Sequence, residues 1–257
     1  IALKDTSKEV LLINLHHIAS DGWSMEIFQK EMLAYYEAYL SQDTAFRLPE
    51  LEIQYKDYAI WQRSYLAGDL LSEQLSYWKQ KLLGYENLVI PTDYNRPGRI
   101  DYKGSSRVFT LSKEISKRIR SLARDRGTTL HSVLLSSISI LLGKYTGSEN
   151  IITGTPIANR HHRQIEALIG FFINSQVNRV VLTQGQSFEA LIDATHQDQV
   201  MAQLHQDLPF EKLVNELGVD RDPSRHPIFQ VMFGVQGFGS PEREKNDDKE
   251  YFRVYQA

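Results

Sequence analysis

The spacing of apolar residues along this chain changes several times, and each change predicts an element. A run of aliphatic and β-branched residues from Glu9 to Leu15, EVLLINL, reads as a buried strand almost at the start. HHIASDGWS, His16 to Ser24, follows, and then Phe28, Met32, Tyr35, Tyr36 and Tyr39 recur at three- and four-residue spacing. That period predicts a helix from about residue 24 to 41. Tyr55 to Ala67 and Ser72 to Leu83 read as two more helices, broken by Gly68 and Asp69. From 84 to 104 the periodicity fails, and Pro91 and Pro97 keep the chain extended, which predicts a boundary there.

Past that boundary strands and helices mix, an α/β or α+β pattern. RVFTL, Arg107 to Leu111, predicts a strand, and Ser112 to Arg126 a helix with Ile115, Ile119 and Leu122 inward and Gly127 as its stop. Thr129 to Lys144 is more apolar and predicts a buried helix. Asn150 to Pro156 and Gln176 to Leu182 predict short strands. Ser187 to Gln206 reads as a long helix, after which Asp207 as N-cap and Pro209 in the first turn predict another. Pro227 to Gln236 is rich in β-branched and aromatic residues and predicts a strand, and SPEREKNDDKE beyond it a solvated loop. No repeat of solenoid period is present.

Composition narrows the class. The 257 residues carry 29 Lys+Arg against 32 Asp+Glu, a net charge of −3, with 42% hydrophobic and 24% charged residues. This is a globular balance, which excludes low-complexity disorder and a chain held mainly by nucleic-acid electrostatics. With no cysteine, disulfides, thiolate nucleophiles and thiolate-bound metals are excluded. No apolar run reaches the roughly 18 residues of a membrane span, and the first residues show neither the basic n-region nor the apolar h-region expected of a signal peptide. Length permits one large domain or two of roughly 100–150 residues. Ile1 is not an initiator, and so early a strand lacks preceding partners, so an excerpt of a longer chain is expected.

The candidate chemistry lies in the turn between the first strand and the first helix. His16, His17, Asp21 and Gly22 sit where two regular elements fix a loop from both sides. An imidazole titrates near about 6.5 and can take a proton at neutral pH. Asp21 can hold an imidazole or pair with an arginine, and Gly22 permits close backbone approach. Adjacent histidines diverge and no HExxH or CxxC companion exists, so a metal site is not expected. By spacing alone, a histidine ending a buried strand beside an incidental surface histidine accounts for the pair equally well.

HHIASDGWSM resembles the HHxxxDG signature of nonribosomal peptide synthetase condensation domains, a motif shared with chloramphenicol acetyltransferase and related acyltransferases. Further stretches narrow the resemblance: YKDYAIWQR (Tyr55 to Arg63) is similar to YxDYAxWQR, and IGFFINSQVNR (Ile169 to Arg179) to IGxFVNTQxxR. HQDLPFEKLV (His205 to Val214) is similar to HQDxPFE, and RDPSRHPIFQVMF (Arg221 to Phe233) to RDxSRNPLFQVMF, with His226 in place of asparagine. The order is the family's and nearly the whole chain is covered. The family's earlier motifs would lie upstream of Ile1, and more of its second lobe would follow the end.

The resemblance implies a two-lobed, V-shaped chloramphenicol-acetyltransferase-like fold with an active-site tunnel between the lobes. Residues 1–88 would be the remainder of the N-terminal lobe, 89–104 the interlobe linker and 105–257 most of the C-terminal lobe. It implies amide formation between two thioesters delivered by an upstream donor and a downstream acceptor carrier protein, beside an adenylation domain, in the cytoplasm. Phosphopantetheine would ride on the carrier proteins, with no cofactor, metal, nucleic acid or membrane bound by this chain. His17, the second histidine, takes the central role, as base or by positioning the amine; His16 shapes the loop. Asp21 would form a salt bridge beneath it, with Arg160 as partner and Arg179 as the other candidate, and the Gly22 N–H would be an oxyanion-type donor. Trp23, Ser24, Asn174 and Gln176 would lie at the tunnel or behind it, and Tyr55, Tyr58 and Trp61 would pack helices. Arg160, His161, His162 and Arg163 form a basic cluster that reads as a solvated loop or as a contact for a phosphate. HHIASDGWS is more similar to domains taking an L-configured donor. Epimerization, dual condensation/epimerization and a noncatalytic recruitment platform are the alternatives; heterocyclization and transfer from soluble acyl-CoA fit the motifs less well.

Overall fold

The computed structural model describes residues 11–219 and 222–236. Its centre is an antiparallel pair, β1 (Asn150–Ile157) and β2 (Asn174–Val181), in register from Asn150 opposite Val181 to Ile157 opposite Asn174. Alternation along β1 sends neighbouring side chains to opposite faces. Ile151 joins Leu88, Leu135, Val180 and Leu191 in one core, and Ile152 joins Trp78, Leu82, Val177, Leu213 and Phe229 in another. Both faces of this small sheet are therefore covered.

The first face is covered by α5 (Leu130–Thr146) and α7 (Phe188–Leu204). Thr129 caps α5 by accepting the Ser132 amide at 3.0 Å, and Gly147 ends it in the left-handed region at φ 70°. Ser132, Ser136, Ser139 and Thr195 are buried between the two helices, small enough for close approach, with Ser136 Oγ 3.1 Å from Thr195 Oγ1. Beside them α4 (Lys113–Asp125), capped by Ser112, buries Ala123 against Val133 and Ile192. The other face is covered by α3 (Gly68–Lys81) and α8 (Phe210–Glu216). Arg179 on β2 ties α3 in place, donating to the carbonyls of Lys81 and Leu83 at 2.9 Å each. Thus residues before and after 89–104 share these clusters. Two more helices complete the N-terminal half, α1 (Gly22–Leu40) and α2 (Tyr55–Tyr65); the four-residue α6 (Arg163–Glu166) lies between the strands.

Several expectations from periodicity are corrected. Residues 11–15 form no strand and Leu11, Leu12 and Leu15 are exposed; Glu9 and Val10 lie outside the described residues. Residues 107–111 also form no strand, with Val108 and Phe109 exposed and no ladder partner among the described residues. β-propensity needs a neighbouring strand to act on. Pro227 to Gln236 contributes a single parallel bridge, Gly154 opposite Met232, because Ile228 at φ 68° turns the backbone. The apolar stripe of α1 is largely open: Tyr35, Tyr36 and Tyr39 are exposed and Ser24 and Ala38 are its buried residues. Ile115 is likewise exposed, whereas Ile119 and Leu122 pack inward. Asp207 does not cap α8; it accepts the Tyr65 hydroxyl at 3.3 Å, and Asn174 Oδ1 takes the Phe210 amide from across the fold. The SPEREKNDDKE stretch lies outside the described residues.

Candidate active site

The histidine loop is a turn before α1. The Ala19 amide donates to the His16 carbonyl at 2.9 Å and the Ser20 amide to that of His17 at 3.4 Å. His16 folds back on the loop, its Nδ1 accepting the Ile18 amide at 3.0 Å. His17 projects outward, exposed, and meets the Phe171 ring edge to face, centroids 5.3 Å apart and planes at 86°.

Beneath the turn, Asp21 is the N-cap of α1 and is almost fully buried. Its Oδ1 accepts the Ser24 amide at 2.8 Å, and its Oδ2 accepts the Phe172 amide at 3.1 Å. Arg160 Nη2 reaches Oδ1 at 3.2 Å, an ion pair whose side chains are 1% and 3% exposed. The guanidinium also donates through Nη1 to the Ile165 carbonyl at 2.6 Å and the Leu168 carbonyl at 2.8 Å, and its centre lies 4.0 Å from the Phe172 ring centroid. Burial pushes the Asp21 carboxyl up, but the Ser24 hydroxyl and amide, the Phe172 amide and Arg160 outweigh it, leaving the carboxyl below its ordinary range. For Arg160 burial dominates and lowers its value against the pull of Asp21. Arg179, the other candidate partner, is occupied at α3.

Ser24 completes the joint. Its hydroxyl oxygen accepts from Arg160 Nη2 at 3.0 Å and the Gly170 amide at 3.1 Å, and lies 2.7 Å from Asp21 Oδ1 and 2.8 Å from the Gly170 carbonyl. Trp23 donates its indole N–H to the Glu166 carbonyl at 2.9 Å. The loop is therefore bound to the 166–172 segment at several points. Gly22 stands at the start of α1 without positive φ, and a Cβ there would meet open space, so left-handed geometry is not what glycine provides. Its N–H belongs to the first helical turn, which lacks intrahelical acceptors.

Asn174 and Gln176 lie apart from this joint, on β2. Asn174 Nδ2 donates to the Gln206 and Leu208 carbonyls at 3.1 and 2.9 Å, holding the turn before α8, and Gln176 is buried opposite Thr155. The basic cluster is dispersed: Arg160 turns inward, His161 Nε2 lies 2.9 Å from Asn159 Oδ1, and His162 meets Trp61 edge to face. Sequence reasoning missed Tyr55, Gly170, Phe171 and the Phe172 amide as members of the site. The available signal was the IGFF block itself, where a glycine precedes two aromatics. Among the described residues, no group of three or more His, Asp or Glu could hold a metal, and no helix is long and apolar enough to cross a membrane.

Mixed α/β architecture and a histidine loop seated on a buried ion pair define a domain of the chloramphenicol-acetyltransferase-like kind. The sequence matches the condensation domain family over residues 2–256, and the chain belongs to that family. It is 46% identical over 230 residues to one of the polypeptides of the linear gramicidin synthase of Brevibacillus parabrevis, covering 89% of this chain and 4% of that protein. It is 38% identical over 233 residues to N-(5-amino-5-carboxypentanoyl)-L-cysteinyl-D-valine synthase of Amycolatopsis lactamdurans, covering 90% of this chain and 6% of that one. These relatives are nonribosomal peptide synthetases, and the chain spans a small part of their length. Among solved structures, the X-domain in complex with OxyB from teicoplanin biosynthesis superposes with a TM-score of 0.78 at 27% identity, over 85% of this chain and 49% of that one. The four-domain nonribosomal peptide synthetase AB3403, bound to AMP and glycine, gives 0.76 at 27% identity, over 88% and 17%.

Proposed function

We propose that this domain forms the amide bond between two thioesters carried by an upstream donor and a downstream acceptor carrier protein. The acceptor's α-amine forms a bond to the donor's thioester carbonyl carbon, the C–S bond breaks, and the amine's proton ends on the departing phosphopantetheine thiol. The pantetheine arm arrives as part of the substrate and the chain supplies no cofactor; an adjacent adenylation domain would load the acceptor carrier. The observation that carries this reading is His17, exposed at the tip of a loop that the buried Asp21–Arg160 pair anchors. His17 takes the amine's proton or holds the amine against the carbonyl; general-base help is worth about 10²–10⁴-fold, and orientation of a free amine contributes alongside it. The Gly22 N–H supplies a donor for the developing oxyanion. On the order of the motifs, residues 1–88 are assigned to the lobe bearing the loop and 105–257 to the other, joined by 89–104, with α3 and Leu88 packed on the sheet of the second; the donor is L-configured on the likeness of HHIASDGWS.

Single-turnover transfer between a loaded donor carrier and a loaded acceptor carrier, followed by intact-protein mass spectrometry with the complete domain, tests this. Acyl mass moving to the acceptor in wild type and not in His17→Ala is the expected result. Transfer at the wild-type rate in that variant would remove His17 from the chemistry. A donor that stays in place while exchanging its α-proton with deuterated water would indicate epimerization. Neither event would favour a docking platform, the reading suggested by the likeness to an X-domain solved with OxyB.

A further inference from the structure

We propose that Tyr55 and Phe171 are positioning residues for His17: the Tyr55 hydroxyl fixes the Phe171 backbone, and the Phe171 ring fixes the orientation of the imidazole. This rests on the condensation reading of the histidine loop. Among the described residues no hydrogen bond holds the His17 imidazole, and the contact that orients it is the edge-to-face meeting with Phe171. His16, by contrast, is held by the Ile18 amide.

Phe171 is itself tightly placed. The residues on either side of it are bound through their backbones to the ion-pair joint, Gly170 to Ser24 and Phe172 to Asp21. The carbonyl of Phe171 accepts the Tyr55 hydroxyl at 2.7 Å, a bond between residues 116 apart in sequence. Burial, and then the negative charge of Asp21, raise the Tyr55 hydroxyl above its ordinary value, so it stays a neutral donor. The Tyr55 ring also packs edge to face on Phe172 with centroids 5.1 Å apart, and it closes over residue 170 so tightly that a Cβ there would come within 2.2 Å of it. Glycine at 170 is what lets the ring sit where its hydroxyl reaches the next carbonyl. A chain of contacts thus runs from the start of α2 through residues 170–172 to the histidine, alongside the ion pair that holds Asp21 and joined to it at Gly170 and Phe172.

Reacting groups must be held to within a fraction of an ångström and some tens of degrees to be productive. An aromatic pair of this kind biases orientation by about two- to tenfold. The test uses the complete domain with ¹³C-labelled histidine, the His17 ring resonance being assigned by its loss in His17→Ala. Phe171→Leu and Tyr55→Phe should each shift that resonance, by loss of or movement in the ring current. Each should also slow single-turnover amide formation by about two- to tenfold. Phe171→Tyr, which keeps the ring, should restore both readings. A His17 resonance unmoved in Phe171→Leu and Tyr55→Phe overturns the proposal, whatever happens to the rate, because a merely structural role lowers activity without touching that signal. Equal rates in His17→Ala and wild type would instead overturn the part given to His17 in the condensation, while the resonance shifts would still report whether the contact orients the ring.

Discussion

Ser24 carries one hydroxyl proton and stands between two acceptors, Asp21 Oδ1 and the Gly170 carbonyl, while two N–H groups fill its lone pairs. With the carboxylate and the guanidinium it makes a buried polar joint in which each member depends on the others. Removing one charge leaves the other buried and unpaired, so Asp21→Ala should cost about 3–5 kcal/mol in urea denaturation. Asp21→Ala/Arg160→Ala should cost less than the sum of the single variants by about 0.5–3 kcal/mol. An additive result would show that the pair contributes little jointly. The acid side follows from the direction of the Asp21 shift. Its folded value lies below its unfolded one, so the stabilisation is fully present above the ordinary carboxylate range and is lost as pH falls through the folded value. Thermal midpoints measured downward from pH 6 should therefore fall less steeply for Asp21→Asn than for wild type.

At the scale of elements, side chains from one segment finish the backbone of another. Asn174, at the start of β2, accepts the first amide of α8 and donates to two carbonyls before it. Asn174→Ala should destabilise the fold by about 1–3 kcal/mol, seen as accelerated hydrogen exchange concentrated in α8. Gly154 plays the matching part on β1. A Cβ there would meet the Phe229 ring at 2.4 Å, and the flanking Val231 carbonyl and Phe233 amide bond to the Gly154 backbone at 2.9 and 2.8 Å. Gly154→Ala should expel that ring at a cost of about 1–3 kcal/mol, with a shift in the urea midpoint. These relations mark what is legible along the chain. Helices with their own caps and periods, such as α5 between Thr129 and Gly147, can be read from sequence, and so can two strands whose hydrophobic runs pair with each other. The stretches at 107–111 and 227–236 cannot, because a strand depends on what lies beside it. The cap of α8 falls on Asp207 by sequence and on Asn174 in the fold, because the residue that provides it is 36 positions away. Likewise HHxxxDG and a partner arginine can be picked out by motif, whereas Tyr55 and Phe171 join the site through a backbone carbonyl and a ring edge, and the IGFF block marks the second of them without saying what it touches.

For the molecule as a whole, exposed large apolar side chains recur along one extended stretch. Val108 and Phe109 are 96% and 81% exposed and Tyr94 and Tyr102 are open to a similar degree, all on the extended stretch between α3 and α4. Exposed apolar side chains that gather into a patch bind dyes and partners. The 257-residue chain should enhance the fluorescence of anilinonaphthalene sulfonate, and Val108→Lys/Phe109→Lys should reduce that signal without lowering the thermal midpoint. An unchanged signal would mean that these residues are covered in solution.

The ion pair beneath the histidines also has a consequence in time. Asp21 and Arg160 are 139 residues apart, and a ribosome adding about 5–20 residues per second needs roughly 7–28 s to cover that distance. Throughout that interval the histidines have been made but the seat that sets them has not. The nascent chain carries its two histidines early and acquires a working loop only when the 160–172 segment has emerged to meet it.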